Sequence, residues 1–567
     1  MKKIIFTLFI FLISIAAYPQ YIPQHISYTR IYDFVDELAT DGFIDLNSAV
    51  KPYSRDFICR KLLEARLQED KLNSRQKQEL NFFLEDYAPE QDRLPEFEFP
   101  AMEKKDFRLD FYPPIFNYRD SIFRARIQPI LGMNIYSNKN GRITQRWFGV
   151  DFQSMIGKNL SVYGSLRDIS FGGGRLSEPE YLMNFPGYEY KEPSDFSDSR
   201  GGITYGWKWG SVGLIKDNIM WGDNYNGANI LSGRAPSFPM ISLSLKPASW
   251  FEMNYIHGWL VSNVADSSRY YMENGVKKWY RNHNKFIAAN MFTLTPFRNF
   301  HFSFGNAIIY AENNVQPGYL LPVAFYKSID HTMTKGIATE NQNSQLFFNI
   351  SSRNIRHLHL YSSVFIDEMK FSRFKPSSAE KNPLSVKIGA KMNNQFVDNL
   401  SLTAEYTRTN IINYKHSIDV LTWASNGYNL GHYLGDNAQE IFLSAGYKPL
   451  RGLDISLSYL NAKHGNEYDY LRRQNGVATI GNIISQPSLG DVIWKNQTIG
   501  LKLVYELFNN GYAVINLENS NIQGFEATRE QIAGERRMTA QEALNYYTPT
   551  LLQGKNTTLT VGFSFGF

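Results

Sequence analysis

Few residue groupings in this chain have the types and spacing of a reactive centre. His357 and His359 stand two positions apart, so a strand would present both imidazoles on one face, as metal ligation can use. Cys59 is the single cysteine and no third ligand is evident, so the two histidines read as polar residues of a strand wall. Asp367 and Glu368 adjoin at the end of an apolar run. Paired carboxylates can do acid–base work, and here they read as a charge pair at a rim. Gly172-Gly173-Gly174 leads into Arg175 rather than into the Lys-Ser/Thr that completes a phosphate cradle. No His-Glu-x-x-His zinc-peptidase motif occurs. The sequence therefore predicts no catalytic residue, no metal site, no cofactor and no enzymatic activity. A net charge of +5 gives no reason to expect nucleic acid as a partner.

The elements that would position these side chains fall into distinct stretches. Lys2 and Lys3 precede an apolar run from Ile4 to Ala17, and Ser14-Ile15-Ala16 supplies the small residues a signal peptidase reads. Residues 1–20 are the expected export signal, since the run is shorter than the roughly 20 residues a membrane helix needs. Residues 21–90 are expected to form a small periplasmic helical domain. Ile31, Phe34, Val35 and Leu38 make one helical stripe, with Thr29 or Ser27 as its cap and Gly42 at its end. Further helices are expected from near Ser54 and near Ser74. Residues 91–120, with Pro95, Pro100, Pro113 and Pro114, read as an extended linker.

From residue 121 to residue 567 the period changes from helical to two. Phe123, Ala125, Ile127, Pro129, Leu131 and Met133 alternate with Arg124, Arg126, Gln128 and Gly132. Leu559, Val561, Phe563, Phe565 and Phe567 alternate with Thr558, Thr560, Gly562, Ser564 and Gly566. One apolar face beside one wet face, repeated in runs of about ten residues, is the code of a membrane barrel strand. About 18 such runs occur, an even number as bacterial barrels require. Ala307-Ile308-Ile309 breaks the alternation near the end of its run. Short connections, such as Gly157-Lys158-Asn159 and Trp209-Gly210-Ser211, alternate with long ones, such as 218–238, 263–283, 311–343 and 409–438. The fold expected is an all-β membrane protein, an antiparallel transmembrane barrel preceded by a small α-helical domain. Mean hydropathy of −0.35 does not oppose this, because half of each strand faces a polar lumen. With 40 Phe and 35 Tyr, the chain has rings enough for the girdles at both membrane interfaces. Arg124 and Arg126 on the lumen face would suit anionic solutes if the barrel were a diffusion channel.

One segment carries a family resemblance. Met220-Trp221-Gly222 runs through Ile230-Leu231-Ser232-Gly233-Arg234-Ala235-Pro236 to Pro239 and then enters a strand. This is similar to the Wzi-type capsule assembly family, where a Trp-Gly pair precedes a Leu-Ser turn, an Arg or Ala-Pro stretch and a barrel strand. Leu358-His359-Leu360-Tyr361, leading to Phe365-Ile366-Asp367, is a second local similarity. The order of signal, small helical domain and barrel matches as well. The chain departs by carrying Asp223-Asn224 where the family often has Pro-Gly. The resemblance implies a non-enzymatic outer-membrane lectin that holds surface polysaccharide. Sugar rings stack on Trp and Tyr, and planar polar groups bond their hydroxyls. The residues this would use are Trp221, Tyr225, Asn229 and Arg234 in one outward loop, and Trp279 and Tyr280 in the next; the other reading of Arg234 and Trp221 is that they fix an inward-folded loop plugging the lumen. Outer-membrane lipid is the expected surround, and a monomer the expected state. A terminal Phe567 closing an aromatic strand resembles the signature read by the barrel assembly machinery. The alternative reading is a channel or transporter for small polar or anionic solutes.

Overall fold

The computed structural model describes residues 21–96, 100–111, 114–176, 188–191, 195–333, 342–367, 369–375, 377–378, 380–467, 488–528 and 537–566. The export signal, Glu368 and Phe567 lie outside the described residues. Eighteen strands form one closed antiparallel barrel. They are β1 Phe123–Asn138, β2 Gly141–Ile156, β3 Leu160–Gly172, β4 Asp195–Trp207, β5 Gly210–Asp217, β6 Phe238–Ala248, β7 Phe251–Leu260, β8 Lys285–Phe297, β9 Phe300–Tyr310, β10 Asn343–Ser352, β11 Leu358–Ile366, β12 Leu384–Asn393, β13 Leu400–Thr409, β14 Ala438–Tyr447, β15 Leu453–Gly465, β16 Val492–Phe508, β17 Gly511–Gly524 and β18 Gly554–Phe565. Each run of two-residue period in the sequence is one of these strands. β18 returns to pair with β1, placing Phe563 opposite Met133 and Leu559 opposite Ser137, so no edge is left open. Leu131, Phe148, Leu214, Ile388 and Leu457 point outward and are exposed, whereas Gln128, Asp151 and Lys387 point inward and are buried.

Three amphipathic helices precede the barrel: α1 Thr29–Thr40, α2 Arg55–Arg66 and α3 Ser74–Asp86. The Ser54 hydroxyl caps α2 by accepting from Phe57 N, and Asn73 with Gln76 closes a capping box on α3. Neither Thr29 nor Ser27 caps α1. Tyr28 holds the cap position there without a side-chain bond. The helices share a core of Phe34, Val35, Leu38, Ile58, Leu62 and Leu80. Together they sit across the short-turn end of the barrel. The His357 N–H donates to Thr40 O at 2.8 Å, Asn299 N to Asp45 Oδ1 at 3.2 Å, and Lys448 Nζ to Glu37 Oε2 at 3.0 Å. Arg126 reaches Asp86 Oδ1 at 2.6 Å and Arg124 reaches Pro89 O at 2.6 Å, so both arginines of the first strand are engaged with this module. The stretch between module and barrel is extended but not free. Phe107–Asp110 pairs with Phe116–Arg119, which pairs in turn with β1.

Two of the long connections turn inward instead of outward. Residues 218–237, after β5, descend until Met220–Trp221 pairs with Val50–Lys51 of the helical module. Residues 410–437 pack on top of them: Trp423 Nε1 donates to Ile230 O at 3.1 Å and Ser232 N to Leu430 O at 2.7 Å. Trp221, Ile230, Leu231, Tyr414 and Trp423 form a core with the inward residues Ile287, Met291, Ile309 and Phe347 of the wall. A third connection lies against the outer face. Tyr319 and Tyr326 cover Met253, Tyr255, Ala288, Ile308 and Tyr310 there. Ala307-Ile308-Ile309 is apolar throughout because its strand is covered on both faces.

Candidate functional site

The six residues singled out in the sequence divide between two places. Trp221 is fully buried, with its ring edge-on to Phe347 at 5.8 Å. Asn229 is fully buried too. Its amide donates to Ser363 O and Ser385 O, and its carbonyl accepts from Ser363 Oγ at 2.6 Å. Tyr225 donates to Asp36 Oδ2 at 2.7 Å, and Lys391 Nζ stands 4.3 Å from its ring centroid. The Arg234 guanidinium lies 5.0 Å from the Tyr433 ring centroid. Trp221 and Asn229 join the inward loop to the wall, Tyr225 joins it to α1, and Arg234 joins it to the second inward loop.

Asp36 is the charge at the centre of that junction. Arg353 Nη2 donates to it at 2.6 Å and Lys391 Nζ at 3.1 Å. Burial acts to raise its pKa, but Lys391 and Arg353 outweigh it and hold the carboxyl well below its ordinary range. His359 belongs to the same cluster, 2.8 Å from Ser351 Oγ and 3.1 Å from Arg353 Nη2. His357 lies in the turn before β11, with φ at 67°, and meets Asp41 Oδ1 at 2.8 Å. The two imidazoles therefore serve different contacts and do not converge. Arg175 covers the Phe196 ring at 5.4 Å. Gly562-Phe563-Ser564-Phe565-Gly566 has the letters of the hydrolase serine motif, but Gly562 to Phe565 lie in β18, paired with β17, and Gly566 directly follows the strand. The motif requires a strand-to-helix turn.

Trp279 and Tyr280 are elsewhere, on a hairpin between β7 and β8 made of Ala265–Glu273 and Lys277–Asn282. Asn274 and Gly275 both have positive φ, and Val276 N donates to Glu273 O at 3.1 Å. This is the Asn-Gly turn whose twist suits a two-stranded ribbon. Trp279 and Tyr280 are 40% and 47% exposed. Trp279 stacks on Tyr271, with centroids 6.5 Å apart and planes 15° apart. On the other face Tyr270 and Tyr280 are 6.3 Å apart, with Lys278 Nζ 3.7 Å from the Tyr270 centroid. Trp279 Nε1 donates to Glu273 Oε2 at 2.8 Å, which fixes the indole.

At the foot of the hairpin a cavity of about 580 Å³ opens in the long-loop end. Asn263 and Val264 line it below the hairpin, Lys415 and Asp419 from the inward loop, and Glu467 and Tyr547 from the far side. Lys415 and Glu467 form an ion pair. Tyr546 is exposed and meets Tyr547 edge-on at 4.8 Å, both on the helix α5 Ala540–Tyr547. Sequence reading missed Lys415, Glu467, Tyr546 and Tyr547, which come from three separate connections. The Thr539 to Glu542 capping box ahead of α5 was the available signal. A second cavity of about 710 Å³ lies in the lumen between β1–β3 and β16–β18, lined by Asn134, Gln145, Trp147, Arg167, Lys502 and Glu518.

Such an arrangement offers flat rings, fixed amides and paired charges in an open setting, which suits binding of polyhydroxylated molecules. Comparison with known proteins agrees at the level of fold and family. The solved structure of Wzi from Escherichia coli covers 97% of this chain and 100% of its own, with a TM-score of 0.56 and 10% identity. That protein is an outer-membrane protein involved in group 1 capsule assembly and a carbohydrate-binding β-barrel. OccAB1 from Acinetobacter baumannii covers 78% of this chain and 96% of its own, with a TM-score of 0.41 and 9% identity. Among curated protein sequences none matches. The sequence profile described as Capsule assembly protein Wzi matches residues 200–522, more than half of the chain. This outer-membrane β-barrel belongs to the Wzi capsule assembly protein family.

Proposed function

We propose that this barrel binds polysaccharide at the cell surface and takes part in capsule assembly by holding the polymer, without breaking its bonds. The observation that carries this reading is the exposed Tyr271–Trp279 stack on a hairpin whose foot, at Asn263 and Val264, lines the mouth cavity. Two parallel rings fixed by a tight turn and an indole hydrogen bond lose little freedom when a sugar face settles on them. The cavity below supplies donors and acceptors for hydroxyls from Asn263, Asp419 and Lys415. A polymer binds such a surface along its length, so a shallow, open site is adequate. Trp221, Tyr225, Asn229 and Arg234 contribute by holding the inward loop on which Lys415 and Asp419 rest, and Trp279 and Tyr280 by contact.

Purified capsular polysaccharide binding to the detergent-purified protein tests this directly. The double variant Tyr271→Ala with Trp279→Ala should weaken binding by about tenfold, from about 0.7 kcal/mol per ring. Its heat-modifiable gel mobility should stay that of the parent. Unchanged binding in a folded double variant would remove the hairpin from the site, and no binding by the parent chain would remove the function.

A further inference from the structure

Asn290 on β8 and Asn306 on β9 are directly paired, and strand alternation turns both away from the lumen. Their neighbours Ala289, Met291, Ala307 and Ile309 are the ones that face the inner core. Two amides on the lipid side of a barrel wall would each cost several kcal/mol if left unbonded, at about the price of any polar group in hydrocarbon. Here they are bonded to a segment of the chain that lies outside the barrel. Asn290 Nδ2 donates to Pro322 O at 3.0 Å and to Ala324 O at 2.9 Å. Asn306 Nδ2 donates to Ala324 O at 3.1 Å, and Asn306 Oδ1 accepts from Tyr326 N at 2.9 Å. The Asn290 carbonyl accepts from Asn306 Nδ2 at 2.8 Å, which joins the two residues into one latch. Tyr255 adds a bond to Tyr319 O at 3.0 Å.

The latched segment has two unlike sides. Tyr319 and Tyr326 face the wall and are buried, with the Tyr319 ring 4.8 Å from that of Tyr310. Leu320, Leu321, Val323 and Phe325 face away, Val323 at 70% and Phe325 at 52% exposure. The run Leu320-Leu321-Pro322-Val323-Ala324-Phe325 carries no charge. The wall beside it exposes Phe304 of β9 at 37% and Ile350 of β10 at 43% in the same outward direction. From Tyr326 the helix α4, Tyr326–Met333, carries Lys327, Asp330 and His331 back toward the rim, where Gln342 N meets Asp330 Oδ1 at 3.4 Å. Apolar chain is thus placed low on the wall and charged chain high.

We infer that residues 320–325 are a flap seated in the hydrocarbon of the outer leaflet, with Leu321, Val323 and Phe325 against lipid acyl chains. This part of the connection after β9 then belongs to the membrane-facing surface and does not lie in water. Its occupant is lipid because its apolar side continues that of the barrel wall and its polar backbone is bonded to Asn290 and Asn306.

Spin-label accessibility in liposomes of the full chain tests the inference. In a Cys59→Ser background, Val323→Cys and Phe325→Cys would be compared with Leu214→Cys on the wall and Val276→Cys at the hairpin tip. Accessibility to oxygen relative to a water-soluble nickel chelate should lie within about twofold of Leu214→Cys and several-fold above Val276→Cys. A ratio matching Val276→Cys would place the flap in water and overturn the inference. Dipolar broadening between labels would show a second copy seated on the flap, which also overturns it. Retained heat-modifiable mobility in each variant shows that the barrel is folded when the label is read.

Discussion

At the scale of single residues, the charges that matter most are those the sequence presents as ordinary surface of amphipathic helices. Asp36, Glu37 and Arg75 on α1 and α3 look like solvated faces, yet all are buried against the barrel. Asp36 meets Arg353 and Lys391, and Glu37 meets Arg75 and Lys448. Removing one partner of a buried pair strands the other charge, which costs about 3–5 kcal/mol. Asp36→Asn is therefore expected to loosen the helical module and expose its α1–α2 connection to protease, with the barrel still resisting digestion. Equal proteolysis of variant and parent would count against the junction. The pH sense follows from the depressed carboxyl pKa. Its stabilisation is present above the unfolded value near 3.8 and lost only as pH falls toward the lower folded value. Tyr225 and Asn229 were legible as deliberate residues but not as buried ones, whereas Trp221 was also readable as the anchor of an inward-folded loop. The same rings and amides that bind sugars also fill a lumen, and the apolar Ala228-Ile230-Leu231 hints that their loop turns inward.

At the scale of elements, legibility tracks what the two faces of a strand meet. Strands between lipid and water alternate cleanly and were readable one by one. β8 and the end of β9 alternate poorly, because the inward loop covers one face and the flap the other. The hairpin at 265–282 falls where the sequence reads only as a long connection, although Asn274-Gly275 between Tyr270-Tyr271 and Trp279-Tyr280 is a strong turn signal. The inward loop 410–437 carries the element whose stability should respond to pH. Asp436 accepts from Tyr414 N at 2.8 Å and Lys415 N at 3.1 Å. Burial, with Glu467 nearby, pushes its carboxyl up to about 7 from 3.8. A raised acid gives stability that is full below its unfolded pKa and lost as pH rises through the folded one. Amide exchange in 410–437, corrected for intrinsic rates, should be slower at pH 5 than at pH 8. Asp436→Asn should remove most of that difference. Protection indifferent to pH in the parent would show that Asp436 does not set the loop's stability.

At the scale of the whole molecule, the lumen is entered from both ends by chain that meets in the middle. The helical module rises from the short-turn end, the loop 218–237 descends from the other, and they join in the two-stranded pairing of Val50–Lys51 with Met220–Trp221. Gly222 N donates to Ala49 O at 2.8 Å beside that pairing. The arginines that would have favoured an anion channel, Arg124 and Arg126, are instead bonded to the module at Pro89 and Asp86. Among the described residues an unfilled lumen cavity of about 710 Å³ lies beside β1–β3 and β16–β18, lined also by Ser27, Asn226 and Leu552. In planar bilayers the intact protein is therefore expected to give no steady conductance. Replacing residues 222–232 with a short Gly-Ser link removes the descending half of the plug along with its contacts to Glu405 and Ser363. That variant should show steady openings, because the helical module alone does not span the wall that the loop had covered. Steady conductance in the intact protein would mean that the plug opens under these conditions, and would favour the alternative reading as a channel.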